Sequence, residues 1–393
     1  MLMTWAGFLI SLAGILIISR KNLALALVSG GIILGVFTLP LEVLLERLVF
    51  TLSDSTVVQL AVAMGIIPML GGIMKQSGQI DSLVNNIRLS KRYLLPFSAA
   101  LMGLLPMPGG ALLSAPILER GGEGVANPLK AVVNNWFRHL FLLIYPLNPA
   151  LFVSAKICQL DLYRTLLYLL PGFVFALALG YLFYLRKIRG KPAFSGAFSW
   201  FNLSIPLAVI LAAPLLDFGL KRLFSLGATA TVIGVVTGLS ISLALSPRKL
   251  DLRAIARQMK PWNFALIIVG MFLYLHVFQV SEARNLIASL PLPPLLLSIT
   301  AGFILGIVTG RVQLPASIVF PVYLATVNQV HLPVFALIYI AVYFGYIISP
   351  VHPCLVVTCE YFRVPLSSMI RDLAWPVLII FVTVLLVAVC MVI

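Results

Sequence analysis

The sequence predicts an all-α integral membrane protein, with about ten transmembrane helices and two re-entrant hairpins in two inverted-topology repeats. Three observations predict it. Charge is too scarce to cover a water-facing surface. A series of apolar runs has bilayer-spanning length. A Pro-x-x-Pro string recurs about half a chain later.

The 393-residue chain is 61% hydrophobic and 10% charged, with a mean hydropathy of +1.09. A soluble domain carries roughly 25% charged residues. Most of this surface must therefore face lipid, and the bilayer is its first partner. The net charge of +15 would suit nucleic acid. Here, however, the Lys and Arg residues lie in short clusters between apolar runs, a distribution set by membrane topology, so no nucleic-acid partner is expected. Cys158, Cys354, Cys359 and Cys390 follow no zinc or redox spacing and read as membrane-buried thiols.

Taken in order, the first apolar run covers 3–19 and is followed by Arg20 and Lys21. That is the reverse of a signal peptide, so it reads as a retained span with its N-terminus outside. Further spans are expected at 22–39, 56–74, 128–156, 162–185, 202–217, 224–245, 262–280, 332–360 and 373–392. Two more apolar stretches are interrupted: 93–118 by Pro106, Pro108, Gly109 and Gly110, and 292–325 by Gly310 and Pro315. Each half is too short for a hydrocarbon core that takes about 20 helical residues to cross. Each stretch therefore reads as a hairpin that enters and leaves on one side, sheltered by protein or a water-filled cavity.

With the N-terminus outside, nineteen Lys and Arg residues fall inside and seven outside, with Arg138 within a span. Counting either hairpin as a full crossing destroys that bias. The threading places the chain in the plasma (inner) membrane, multi-pass, with both termini outside.

Tyr145-Pro146-Leu147-Asn148-Pro149-Ala150-Leu151-Phe152-Val153-Ser154 is answered 204 residues later by Ser349-Pro350-Val351-His352-Pro353-Cys354-Leu355-Val356-Val357-Thr358. At an offset of 205, Gly65 matches Gly270, Ala111 matches Ala316, and Pro116 matches Pro321. Residues 1–185 form the first repeat, with an inside-opening hairpin. Residues 186–201 form a basic cytoplasmic linker, and 202–393 the second repeat, with an outside-opening hairpin. An odd number of crossings per half inverts one against the other. Inverted repeats with discontinuous helices point to a transporter site near the midplane.

Three strings resemble a known family. They are Asn135-Trp136-Phe137-Arg138-His139 followed by Tyr145-Pro146-x-x-Pro149, the hairpin Pro106-Met107-Pro108-Gly109-Gly110-Ala111-Leu112-Leu113-Ser114-Ala115-Pro116, and Thr309-Gly310-Arg311-Val312-Gln313-Leu314-Pro315. They resemble the ten-span family called domain-of-unknown-function four-hundred-one, grouped with the ion-transporter superfamily beside gluconate permeases and sodium-coupled dicarboxylate carriers. The resemblance implies two hairpin tips and two broken helices meeting at a central site, in a homodimer with elevator-like motion. It implies no substrate. The dicarboxylate carriers bear Ser-Asn-Thr signatures at their hairpin tips, where this chain has Met-Pro-Gly-Gly and Gly-Arg-Val-Gln. Their ion and carboxylate sites therefore do not transfer.

The candidate solute-binding residues follow from this layout. A half-helix begins after Pro149 and again after Pro353, and its free N–H groups and dipole favour anions or polar groups. Asn148 and His352 precede these ends, with Ser154 and Thr358 further in; local capping is the alternative. Arg311 offers a guanidinium suited to carboxylate or phosphate, or snorkels to outside water. Arg138 and His139, about two turns into their span, either face a cavity or tie down the first hairpin. Gly109 and Gly110 permit a tight turn and close backbone approach to a ligand. Ser114, Gln313 and Ser317 complete the set.

None of the twelve acidic residues is expected in mid-span, so no carboxylate proton relay is visible. No cofactor is expected. Na⁺ is a candidate coupling ion, His139 and His352 are candidate proton carriers, and metal ligands are undefined. The chain lacks His-Glu-x-x-His, Gly-x-Ser-x-Gly and paired membrane aspartates, and reads as a non-enzyme. The expected function is secondary active transport of a small polar solute, an organic anion, by alternating access. A channel, a passive facilitator and a non-transporting scaffold are the alternatives.

Overall fold

A computed structural model describes residues 2–19, 21–104, 111–190, 198–246, 250–283, 293–327 and 329–392. Regular structure among them is helical, without strands. The first part of the chain forms α1 (Leu2–Ser19), α2 (Leu23–Thr38), α3 (Leu41–Ser53), α4 (Ser55–Gln76), α5 (Gln79–Asn85), α6 (Lys91–Leu104), α7 (Ala111–Gly121), α8 (Asn127–Leu140), α9 (Pro149–Ile157) and α10 (Leu162–Phe183). The remainder forms α11 (Trp200–Phe224), α12 (Ala228–Ala244), α13 (Leu252–Met259), α14 (Pro261–Val280), α15 (Pro294–Thr309), α16 (Gln313–Val327), α17 (Leu332–Ile348), α18 (Pro353–Phe362) and α19 (Leu366–Val392).

Local chemistry sets the helix starts. Asp54 accepts from the N–H groups of Thr56 and Val57, Asp161 from Arg164, and Asp251 from Arg253 and Ala254. Three of the few acidic residues thus serve as N-caps at helix ends. Pro128, Pro149, Pro261, Pro294, Pro333 and Pro353 occupy first turns, where the missing N–H costs nothing.

Among the described residues, seven helical stretches are long and apolar enough to cross a bilayer: Ser55–Gln76, Asn127–Ile157, Leu162–Lys187, Trp200–Phe224, Pro261–Val280, Leu332–Phe362 and Leu366–Met391. Shorter apolar helices cover Met3–Ser19, Leu23–Thr38, Ala228–Ala244, Pro294–Thr309 and Gln313–Val327. The protein is an all-helical, multi-pass membrane protein.

The helices pack as two groups. One is a row in the spatial order α1, α2, α14, α4, α12, α11. Helices from the two sequence halves interleave in it, and small residues mark the close crossings. A Cβ on Gly65 would lie 3.3 Å from the Pro261 carbonyl oxygen, and one on Gly270 would lie 2.8 Å from Leu27. The second group joins α6–α7 and α15–α16 to the interrupted pairs α8–α9 and α17–α18, with α10 and α19 alongside. Here backbones touch: Gly103 of α6 meets the Arg138 backbone, and Gly345 of α17 meets that of Phe303 in α15.

The structure corrects several boundaries. The first interrupted span breaks earlier than its Pro-x-x-Pro string: α8 ends at Leu140, a 3₁₀ turn covers Phe141–Ile144, and α9 starts at Pro149. Arg138 and His139 therefore occupy the last turn of α8, at the break itself. The spans expected at 202–217 and 224–245 have different limits, because α11 continues to Phe224 and carries Asp217, Lys221 and Arg222. The short helices α3 and α13 occupy segments read as connections. Gly109 and Gly110, with the rest of the first hairpin tip at 105–110, lie outside the described residues, as does 191–197 of the linker.

A Cβ on Gly306 would lie 2.5 Å from the Val342 carbonyl oxygen and 2.8 Å from the Tyr346 nitrogen, whereas one on Gly219 meets nothing within 4 Å. Gly306→Ala is expected to destabilise the detergent-solubilised protein by about 1–3 kcal/mol in thermal unfolding. Gly219→Ala is expected to be neutral or stabilising by about 0.5–1 kcal/mol. Equal melting temperatures for the two variants would contradict this packing.

Candidate functional site

Both interrupted helices present polar groups where their backbones open. In α8, Arg138 and His139 lie in the last turn, where the guanidinium's positive charge suits the negative end of the helix dipole. In α17–α18, a turn over Pro350 and Val351, closed by the His352 N–H donating to the Ser349 carbonyl at 3.1 Å, ends just before the first turn of α18. The fold brings these ends together. The ring centroids of His139 and His352 are 4.6 Å apart, and Tyr346 lies 4.1 Å from His352 and 5.3 Å from His139. Both histidines are buried.

The two arginines border this ring cluster, and the Tyr346 side chain lies within electrostatic reach of both. Arg138 is buried and its Nη1 reaches the Ser114 hydroxyl of α7 at 3.4 Å, a long contact. Arg311 follows Gly310, which ends α15 in the left-handed conformation (φ 60°). A Cβ at Gly310 would lie 2.9 Å from the Val351 carbonyl carbon, so this turn sits directly on the α17–α18 break. Among the described residues, which include all twelve acids, no carboxylate forms a salt bridge with Arg138 or Arg311.

Asn148 and His352, equivalent in sequence, behave differently. Asn148 caps α9 by accepting from Ala150 N–H at 3.1 Å, and its amide donates to the Leu142 carbonyl at 2.9 Å and the Tyr339 hydroxyl at 3.3 Å. His352 caps nothing, and neither ring nitrogen makes a hydrogen bond of good geometry, with only a weak contact to the Ile347 carbonyl. Thr358 accepts from the Asn134 amide at 3.1 Å, tying α18 to α8. Ser154 and Ser317 donate to the Ala150 and Leu314 carbonyls of their own helices. Gln313 is half-buried at the start of α16. The structure thus gathers Arg138, His139, Arg311, His352 and Ser114. It gives Asn148, Ser154 and Ser317 local hydrogen-bonding roles and Thr358 an interhelical one.

Sequence reasoning missed several participants. Tyr339, Tyr343 and Tyr346 line one face of α17, and their i, i+4, i+7 spacing was the signal available. Cys354 lies beside the histidines: one donor atom from each of His139, His352 and Cys354 lies within 4.8 Å of the others.

A buried acid also contradicts the expectation of none in mid-span. Asp217 is fully buried within α11, paired with Lys221 at 2.7 Å, and accepts from the hydroxyls of Thr231 at 2.7 Å and Tyr163 at 2.5 Å. Hydropathy ended the span at Asp217, but the i, i+4 ion pair lets the helix continue. Tyr163 joins this group to α10. A cavity of about 270 Å³ beside it is lined by Phe152, Asp161, Tyr163 and Lys221. A larger cavity of about 590 Å³ lies between the ends of α9 and α14 and the α16 helix, with Gln159, Gln279 and Gln329 in its wall. None of its lining residues belongs to the histidine cluster.

With this geometry in place, comparisons with known proteins define the kinship. Residues 5–393 match a family described as protein of unknown function (DUF401). The chain belongs to that family. No curated protein matches it. A solved structure with a similar fold is the crystal structure of the YdaH transporter of Alcanivorax borkumensis. It is 13% identical, covers 88% of this chain and 86% of its own, and superposes with a TM-score of 0.54. At this identity the likeness is one of fold.

Asp217→Ala is expected to leave Lys221, Thr231 and Tyr163 without their shared acceptor and to cost about 2–4 kcal/mol in equilibrium unfolding. The apolar double variant Asp217→Leu with Lys221→Met should recover most of that loss. A double variant no more stable than Asp217→Ala would show that the group does more than hold α10 and α11 together.

Proposed function

We propose that the protein is a secondary active transporter that moves a small polar solute, an organic anion, across the plasma membrane by alternating access. The observation that carries this reading is the pair Arg138 and Arg311. Two largely buried guanidiniums beside the two helix breaks have no carboxylate partner in the protein, and a guanidinium fork suits a carboxylate supplied by a solute. The first turn of α18, which has no side-chain cap, adds positive potential on the same side of the cluster.

In this reading the two halves are inverted repeats, ten crossings with two re-entrant hairpins. The matched 31-residue interrupted spans Asn127–Ile157 and Leu332–Phe362 support that symmetry. The hairpins and broken helices form the moving part and the six-helix row the support, in an elevator-like displacement within a homodimer. The 590 Å³ cavity at the seam suits a boundary that slides. The fold shared with a YdaH transporter and the wider kinship with gluconate permeases and sodium-dicarboxylate carriers belong to this proposal. Coupling uses Na⁺ held by carbonyls and hydroxyls at the breaks, or protons carried by His139 and His352.

Uptake into proteoliposomes, measured for a panel of mono-, di- and tricarboxylates with and without Na⁺ and pH gradients, tests the proposal. Gradient-driven accumulation of at least one carboxylate is expected. Arg311→Gln should raise KM roughly tenfold or more, a loss of at least about 1.4 kcal/mol of solute binding. Absence of gradient-dependent flux for every solute would refute it, and large single-channel currents would replace it with a channel.

A further inference from the structure

The cluster at the breaks contains donor chemistry that anion binding alone does not use. We infer that His139, His352 and Cys354 bind a borderline-soft transition-metal cation, carried as its complex with a chelating organic carboxylate whose remaining oxygens Arg138 and Arg311 hold. The inference rests on the anion-transport reading and names the solute class within it.

Three features of the geometry support the metal. First, a donor atom from each of the three residues lies within 4.8 Å of the other two, and the imidazoles come from different broken helices. Small rotations bring such atoms to the roughly 2.0–2.3 Å typical of Zn–N and Zn–S bonds. Second, His139 Nδ1 lies 2.6 Å from the Asn135 carbonyl oxygen. A carbonyl only accepts, so Nδ1 carries the hydrogen and Nε2 the lone pair. That is how proteins orient a ligating imidazole. Third, neither nitrogen of His352 makes a hydrogen bond of good geometry, the Ile347 carbonyl offering only a weak contact, although the residue is only 1% exposed. Leaving such a group unsatisfied in a buried site is costly, and a metal bond satisfies it.

The donor set also selects the ion. Two imidazoles and a thiol favour Zn²⁺, Co²⁺, Ni²⁺ or copper over Na⁺, Mg²⁺ or Ca²⁺. Three protein donors leave a coordination position open for solute oxygen. As Cys354 coordinates, its S–H bond breaks, a metal–thiolate bond forms, and the proton leaves with water shed by the incoming cation. Arg138, Arg311 and the α18 N-terminus make the cluster unfavourable to a bare dication. A polycarboxylate offsets that repulsion and satisfies the arginines at the same time.

Co²⁺ is the probe, added to the full-length purified protein with Cys390, an exposed thiol, replaced by Ser. Titrations run with Co²⁺ alone and with Co²⁺ plus citrate. We expect one Co²⁺ per chain with a thiolate-to-cobalt charge-transfer band, displaced by Zn²⁺ and absent in Cys354→Ser. His352→Gln should weaken binding roughly tenfold or more. Citrate should tighten Co²⁺ binding in the parent, and Arg311→Gln should abolish that tightening while retaining the band. Cys354 is only partly buried, so its Ser variant is expected to unfold at the parent temperature. No charge-transfer band, or equal Co²⁺ affinity in the parent, Cys354→Ser and His352→Gln, would overturn the metal site. Carboxylate uptake that persists without metal and is unchanged by Cys354→Ser would do the same while leaving anion transport standing.

Discussion

An interrupted helix inside a bilayer exposes carbonyl and amide groups that lipid cannot satisfy, and this chain meets the constraint by making its two broken helices serve each other. The Tyr343 hydroxyl of α17 donates to the His139 carbonyl at 2.7 Å, near the end of α8. The Asn135 amide of α8 reaches the Ile347 carbonyl at 3.4 Å, near the end of α17. Tyr339 adds a contact to Asn148 at the start of α9. Each break is thus closed by a side chain from the opposite helix. Each helix end takes a hydrogen bond from the other, and the polar cluster sits where the two ends meet.

The reciprocal arrangement also explains why matched positions carry unlike residues. Asn148 is occupied by its own helix end and by Leu142. At the second break Ser349 donates to the Ile307 carbonyl of α15 at 2.5 Å and accepts from Val351 N–H at 3.3 Å, while the first turn of α18 has no side-chain cap. His352 neither caps α18 nor makes a ring hydrogen bond of good geometry. Of the two matched positions, Asn148 is taken up by local hydrogen bonds and His352 is not.

Much of this was legible in the sequence, and the reasons divide by range. The second break is local: α17 ends at Ile348 just before Pro350 and Pro353, although Pro68, Pro171 and Pro321 sit inside continuous helices. The spans are local too, because hydropathy needs no partner. Tertiary pairing was not legible. The row order α1, α2, α14, α4, α12, α11 is written in Gly31, Gly65 and Gly270, which look like any other glycines until their neighbours are known. The meeting of His139 with His352 depends on the same packing. Asp217 was misplaced for a different reason: averaged hydropathy counts a charge as an end, whereas its i, i+4 pairing with Lys221 lets α11 run on. The amphipathic helices α3 and α13 escaped because half their surface is polar.

The mutual closure of the two breaks is tested most directly at Tyr343, which contributes its hydroxyl to a carbonyl of the other helix while its ring fills the core. Equilibrium unfolding of Tyr343→Phe in mixed detergent micelles should show a loss of about 1–2 kcal/mol, the cost of leaving the His139 carbonyl unsatisfied in a buried site. Stability within about 0.5 kcal/mol of the parent would contradict the account, because the break would then be closed without its partner.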